Sequence, residues 1–92
     1  PETNIYFFEN NDQEKNIIQI QNLPQIAENE SFQLWSLKDN TDPIPLDVFD
    51  SSQDLLLEVA FVENSNAYAI TIEPKGGSQQ PNLDQLIGVF SI

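Results

Sequence analysis

The sequence predicts an all-β chain, a small antiparallel β-sandwich with at most one or two short helical turns. Three observations carry this reading. Short apolar runs recur at period two, polar turn-forming residues separate them, and the gaps between runs are short. A parallel βαβ arrangement needs about a dozen residues for each crossover, and the chain barely has room for one. An immunoglobulin-like arrangement is among the sandwich topologies that fit.

The elements follow in order. Ile5-Tyr6-Phe7-Phe8 is β-branched and aromatic, the loop at 9–13 is polar, and in the run at 16–21 Ile18 and Ile20 share one face while Gln19 and Gln21 share the other. This reads as an opening hairpin, which Asn22-Leu23-Pro24 ends because proline offers no amide to a ladder. The run at 31–38 carries Phe32 and Leu34 on one side and Trp35 and Leu37 on the other, so it is expected to be a central strand. Asp39-Asn40-Thr41-Asp42 is a turn. Pro43-Ile44-Pro45-Leu46 is extended but suits only an edge strand or a surface crossover. Residues 46–49 continue it, burying either Leu46 and Val48 or Phe49.

Residues 55–62 stay open between two states. Ser51 and Asp54 stand three apart, like a capping box ahead of a helix lined by Leu55, Val59 and Val62, whereas Leu56, Glu58, Ala60 and Val62 fit period two. After the turn Asn64-Ser65-Asn66, the run at 67–73 is a strand that sends Tyr68, Ile70 and Ile72 to the core. Its other face, with Ala67, Ala69, Thr71 and Glu73, meets a neighbour, solvent or a thin second layer. Residues 74–81 form a long turn in which Gly76 and Gly77 supply positive φ angles. Leu83 to Leu86 make a single helical turn capped by Asn82, and residues 87–92 a last strand, where Gly88 marks a bulge or a closely approached backbone.

Composition narrows function. Three lysines against fifteen acidic side chains give a net charge of -12, which excludes nucleic acid as a partner. Arginine, histidine, cysteine and methionine are absent, so disulfides, thiolate nucleophiles, imidazole bases and zinc sites are excluded too. The 92 residues are expected to form a single domain. No apolar run is long enough for a membrane helix. A chain that opens on proline without an initiator methionine is expected to derive from a longer protein, with targeting or membrane segments upstream.

The remaining candidates for chemistry each have a plainer explanation. Asp39, Asp42, Asp47, Asp50 and Asp54 fall within sixteen residues, as a calcium site would want, but no glycine of an EF-hand loop accompanies them and a solvated acidic face is expected. Ser78 lies three residues from Lys75, yet an exposed loop would not depress the lysine pKa enough for a base. Lys75-Gly76-Gly77-Ser78 lacks the spacing of a phosphate loop. No cofactor is expected and the chain is not expected to be an enzyme. Trp35 is expected in the core, and Tyr6 and Phe8, of one parity in the first strand, form a candidate partner patch.

Phe32-Gln33-Leu34-Trp35 and the run Thr71-x-Glu73-Pro74-x-Gly76-Gly77-Ser78, with Pro81 beyond it, carry a resemblance. Together with Leu23-Pro24 and the proline-bearing stretch ending at Phe49, they make residues 15–92 similar to the C-terminal extracytoplasmic domain of the anti-sigma-K factor family. The chain departs from that pattern at Asp47, where the family often has glycine, and at Gln79 and Gln80, where a proline is common.

The resemblance implies a bacterial protein with a cytoplasmic segment that sequesters a sigma factor, a single membrane helix, and an outer domain that influences regulated proteolysis. This chain would be that outer domain, on the periplasmic or extracellular side of the inner membrane. It would reach sigma factor only through a segment absent here, with an envelope protein or protease as candidate partner and a monomer or weak dimer as its state. A carbohydrate- or peptide-binding module and a purely structural envelope domain are the alternatives.

Overall fold

A computed structural model describes residues 3–10, 15–50, 54–60 and 65–91. Among them seven strands follow in order: β1 (Asn4–Asn10), β2 (Lys15–Gln21), β3 (Glu30–Leu37), β4 (Ile44–Phe49), β5 (Asp54–Ala60), β6 (Ala67–Pro74) and β7 (Leu86–Ser91). One 3-10 turn, Leu83–Gln85, precedes the last strand. The strands form two antiparallel sheets, one ordered β1-β2-β5 and the other β4-β3-β6-β7. The all-β class with a single helical turn is the one the sequence predicts. Two compact units result: Pro1–Gln25 with Ser51–Phe61 holds the first sheet, and Ile26–Asp50 with Val62–Ile92 holds the second.

In the first unit, β1 and β2 pair in an unbroken register from Asn4↔Gln21 to Asn10↔Lys15. Alternation decides the faces: Ile18 and Ile20 are buried, with Ile5 and Phe7 half-buried, while Tyr6, Phe8 and Ile17 are exposed. The strand ends as expected, at Asn22, whose φ of 60° is the left-handed conformation that asparagine tolerates. The Thr3 hydroxyl donates to the Asn22 carbonyl at 2.8 Å, and Leu23 beyond it is buried. Of the two states open for residues 55–62, the structure takes the strand: β5 pairs with β2 from Lys15↔Ala60 to Gln21↔Asp54. Ser51 of the capping box, Val62, Asn64 and the hairpin loop at 11–13 lie outside the described residues.

In the second unit, β3 is central, and Ser31 through Ser36 are all buried. Phe32, Leu34 and Ser36 share one face with Tyr68 and Ile70 of β6, following the register Phe32↔Ile72, Leu34↔Ile70 and Ser36↔Tyr68. The Phe49 ring stacks on Phe32 at 5.5 Å, so β4 turns Phe49 inward and leaves Val48 39% exposed. β4 is an edge strand, which tolerates Pro45, and its register slips between Leu34↔Asp47 and Trp35↔Pro45. β7 is the other edge. Its pairing jumps from Ile70↔Gly88 to Thr71↔Leu86, which places the bulge beside Gly88.

Of the three surroundings open for the Thr71 and Glu73 face of β6, the structure takes the thin covering layer: Thr71 is fully buried and Glu73 only 3% exposed. The reason is the segment from Pro74 to Asn82, which folds back and bonds to that face.

Candidate functional site

Period-two geometry and the β3–β6 register put Ser31, Gln33 and Trp35 on one face with Thr71 and Glu73, through the pairs Ser31↔Glu73, Gln33↔Thr71 and Trp35↔Ala69. Four of these five side chains are polar or charged and all are buried. Burial of such groups is tolerable only with hydrogen-bond partners, and the partners here come from each other, from the loop at 74–82 and, for Ser31, from Asp50.

The first set is a relay. Trp35 Nε1 donates to Thr71 Oγ1 at 2.9 Å, and that hydroxyl donates to Glu73 Oε2 at 2.5 Å. The same carboxylate oxygen accepts the Asn82 amide at 2.7 Å, so the relay ends on the far side of the loop. Asn82 holds the N-cap position of the 3-10 turn, as the sequence suggests, but its side chain makes no capping bond. Its backbone amide is committed to Glu73 instead.

The second set is a clamp. Gln33 Nε2 donates to the Ser78 carbonyl at 3.0 Å and Gln33 Oε1 accepts the Ser78 amide at 2.8 Å. A side-chain carboxamide thus pairs with both backbone polar groups of one loop residue, as a neighbouring strand would. Gly77 makes the approach possible. Its φ is 93°, and a Cβ there would stand 2.8 Å from Val48 Cγ2 and 3.0 Å from Gln33 Oε1. Gly76, at φ 92°, has open space around the same position, so it is required by backbone conformation alone.

The third set lies at the loop entrance. Ser31 Oγ donates to Asp50 Oδ1 at 2.7 Å, and Lys75 Nζ meets Asp50 Oδ2 at 2.9 Å. The Lys75 ammonium first, and the Ser31 hydroxyl second, hold Asp50 below its ordinary value of 3.8. The Lys75 amide donates to the Asn29 carbonyl at 2.8 Å, which ties the turn to the start of β3. The lysine–aspartate pair is more than half exposed and contributes little by itself.

These contacts bring together Gln33, Trp35, Thr71, Glu73, Gly76, Gly77 and Ser78. Phe32, Leu34 and Phe49 sit on the opposite face of the same sheet, Pro74 and Pro81 bound the loop, and Leu23 and Pro24 belong to the other unit. Tyr6 is 45% and Phe8 53% exposed, on one face of β1. Sequence reasoning did not place Ser31 in the site, and it read Asp50 only as part of an acidic face and Asn82 only as a cap. The usable signal was the alternation of Ser31 and Gln33 with Phe32 and Leu34, a polar stripe leading to a tryptophan.

Chemically the site is closed. A threonine hydroxyl on a glutamate resembles a nucleophile with its base, but Thr71 Oγ1 already accepts the Trp35 indole, and both residues lie beneath the loop. A recess of about 210 Å³ opens beside Glu73 and is lined by Asn29, Glu30, Pro74, Asn82 and Gln85 among others. Glu30 is spent on the turn before β3, accepting the Ala27 amide at 2.8 Å. Lys75 is turned toward Asp50 rather than Ser78. Asp39, Asp42 and Asp47 are exposed, and the Asp47 carboxylate accepts the adjacent Val48 amide at 2.9 Å. Among the described residues no three carboxylates gather as a metal site would require.

Compared with known proteins, residues 3–85 match the family model described as Anti-sigma-K factor rskA, C-terminal. No curated protein and no solved structure matches the chain.

Proposed function

The chain belongs to the family of the anti-sigma-K factor C-terminal domain, and from that membership we propose that its folded state is the signal that controls proteolysis of a membrane-anchored anti-sigma factor. The family places it as an extracytoplasmic, non-catalytic regulatory domain. Sigma factor is reached through a cytoplasmic segment outside this chain, joined by a single membrane helix, and an envelope protein or protease is the partner on the outer side. Among the described residues no helix is long and apolar enough to cross a membrane.

One observation supports the reading. The motif Thr71-x-Glu73-Pro74-x-Gly76-Gly77-Ser78 spends its polar groups on holding the 74–82 loop against its own sheet. Such a motif preserves a closed state, and a closed state can be lost. An extended, released segment is what a protease requires, since it must fit a chain into its cleft.

The experiment uses the full-length protein in its membrane. Gln33→Ala and Gly77→Ala, each loosening the loop, should increase cleavage of the anti-sigma factor and raise sigma-dependent transcription. Variants whose loop amides exchange faster, yet whose cleavage and transcription stay at the wild-type level, would overturn the proposal.

A further inference from the structure

The outward face of the β1–β2 hairpin is not the polar face that an antiparallel sheet normally turns to water. Tyr6 is 45%, Phe8 53% and Ile17 36% exposed. Phe8 and Ile17 are direct cross-strand partners, and Tyr6 stands opposite Gln19, so the three apolar side chains are neighbours on one face. β1 is the terminal strand of its sheet, and the face therefore runs to an edge.

Charge selects the occupant. The 92-residue chain carries -12, and the sequence of this unit, residues 1–25 and 51–61, holds Glu2, Glu9, Asp12, Glu14, Asp54 and Glu58 against Lys15 alone. In the pairing register the row crossing the sheet at Phe8 reads Phe8, Ile17, Glu58. Aromatic faces in a negative field attract cations through the ring quadrupole as well as through the net charge. A second copy of this chain, at -12, is repelled, and so is an anionic lipid surface.

We propose that Tyr6, Phe8 and Ile17 form a docking face for an extended, lysine- or arginine-bearing segment of a partner protein. Its aliphatic stems lie on Ile17 and its cationic groups over the two rings. The proposal is independent of the proteolysis reading, because it concerns the other unit and requires no opening of the loop.

The test is titration of the isotope-labelled 92-residue chain with a synthetic ten-residue peptide alternating lysine and valine, followed by amide shifts. A glutamate–valine peptide, chitotetraose and vesicles of phosphatidylglycerol serve as the other arms. The expected result is saturable shifts confined to β1 and β2 with the lysine peptide, weakening as salt is raised. Tyr6→Ser with Phe8→Ser should weaken binding about tenfold, the order expected for two exposed cation–π contacts, without loss of the folded spectrum. Leu83→Ser with Val89→Ser, in the other unit, should leave it unchanged. Equal binding by the Tyr6→Ser, Phe8→Ser variant would reduce the effect to net charge and overturn the proposal. Shifts of the same residues by chitotetraose or vesicles without the lysine peptide, or concentration-dependent self-association through them, would overturn it as well.

Discussion

The side chain of Gln33 holds both the carbonyl and the amide of Ser78, across 45 residues of sequence, with bonds of 3.0 and 2.8 Å. Gln33 is only 1% exposed, so the clamp is made inside the protein, where water does not readily replace a lost partner. Gln33→Ala is expected to cost about 2 kcal/mol, because both Ser78 groups lose their partner. Urea unfolding read against the wild type measures it; a change within a few tenths of a kcal/mol would show that the clamp is idle.

The two glycines are expected to respond differently to the same substitution. Gly76→Ala meets only the left-handed backbone penalty, about 1–2 kcal/mol. Gly77→Ala meets that penalty and a collision with Val48 and Gln33, adding about 1–3 kcal/mol. Thermal unfolding of the pair of variants checks the order.

Thr71→Val keeps the shape of the side chain and removes the hydroxyl that serves both Trp35 and Glu73. Two buried polar groups then lose a partner, at an expected cost of about 3 kcal/mol. The sole tryptophan provides the readout. Trp35 is fully buried, so its emission should be blue-shifted and resist acrylamide in the wild type, then red-shift at lower urea in the variant.

Much of this fold is legible from alternation alone. Ile18 and Ile20 are buried and Ile17 is exposed, as period two requires, and Pro45 falls on an edge strand, as a missing amide requires. Residues 54–60 were not legible in this way. A short leucine-rich run suits helix and strand equally, and it is the ladder with β2, a partner more than thirty residues away, that decides for strand. The candidate site was legible as a motif but not as a mechanism. Nothing local to Thr71 or Glu73 reveals that the following loop returns to cover them, because the deciding contacts join residue 33 to 78 and residue 73 to 82.

Acid should loosen the loop entrance before it unfolds the sheets. Asp50 has a lower pKa folded than unfolded, so its contribution is complete above the ordinary value of 3.8 and fades as pH falls through the lower folded value. The pair is exposed, so the effect on global stability is small and screened by salt. The Lys75 and Asp50 resonances followed by NMR from pH 6 downward should shift together, and Asp50→Asn should abolish the coupled change.

Native-state hydrogen exchange at the Ser78 and Asn82 amides is the direct measure of whether the glycine-bearing loop belongs to the folded body of the second unit. Protection comparable to the central amides of β3, lost at Ser78 in Gln33→Ala and at Asn82 in Glu73→Ala, is the expected result. Exchange at the rate of an open loop in the wild type would contradict it.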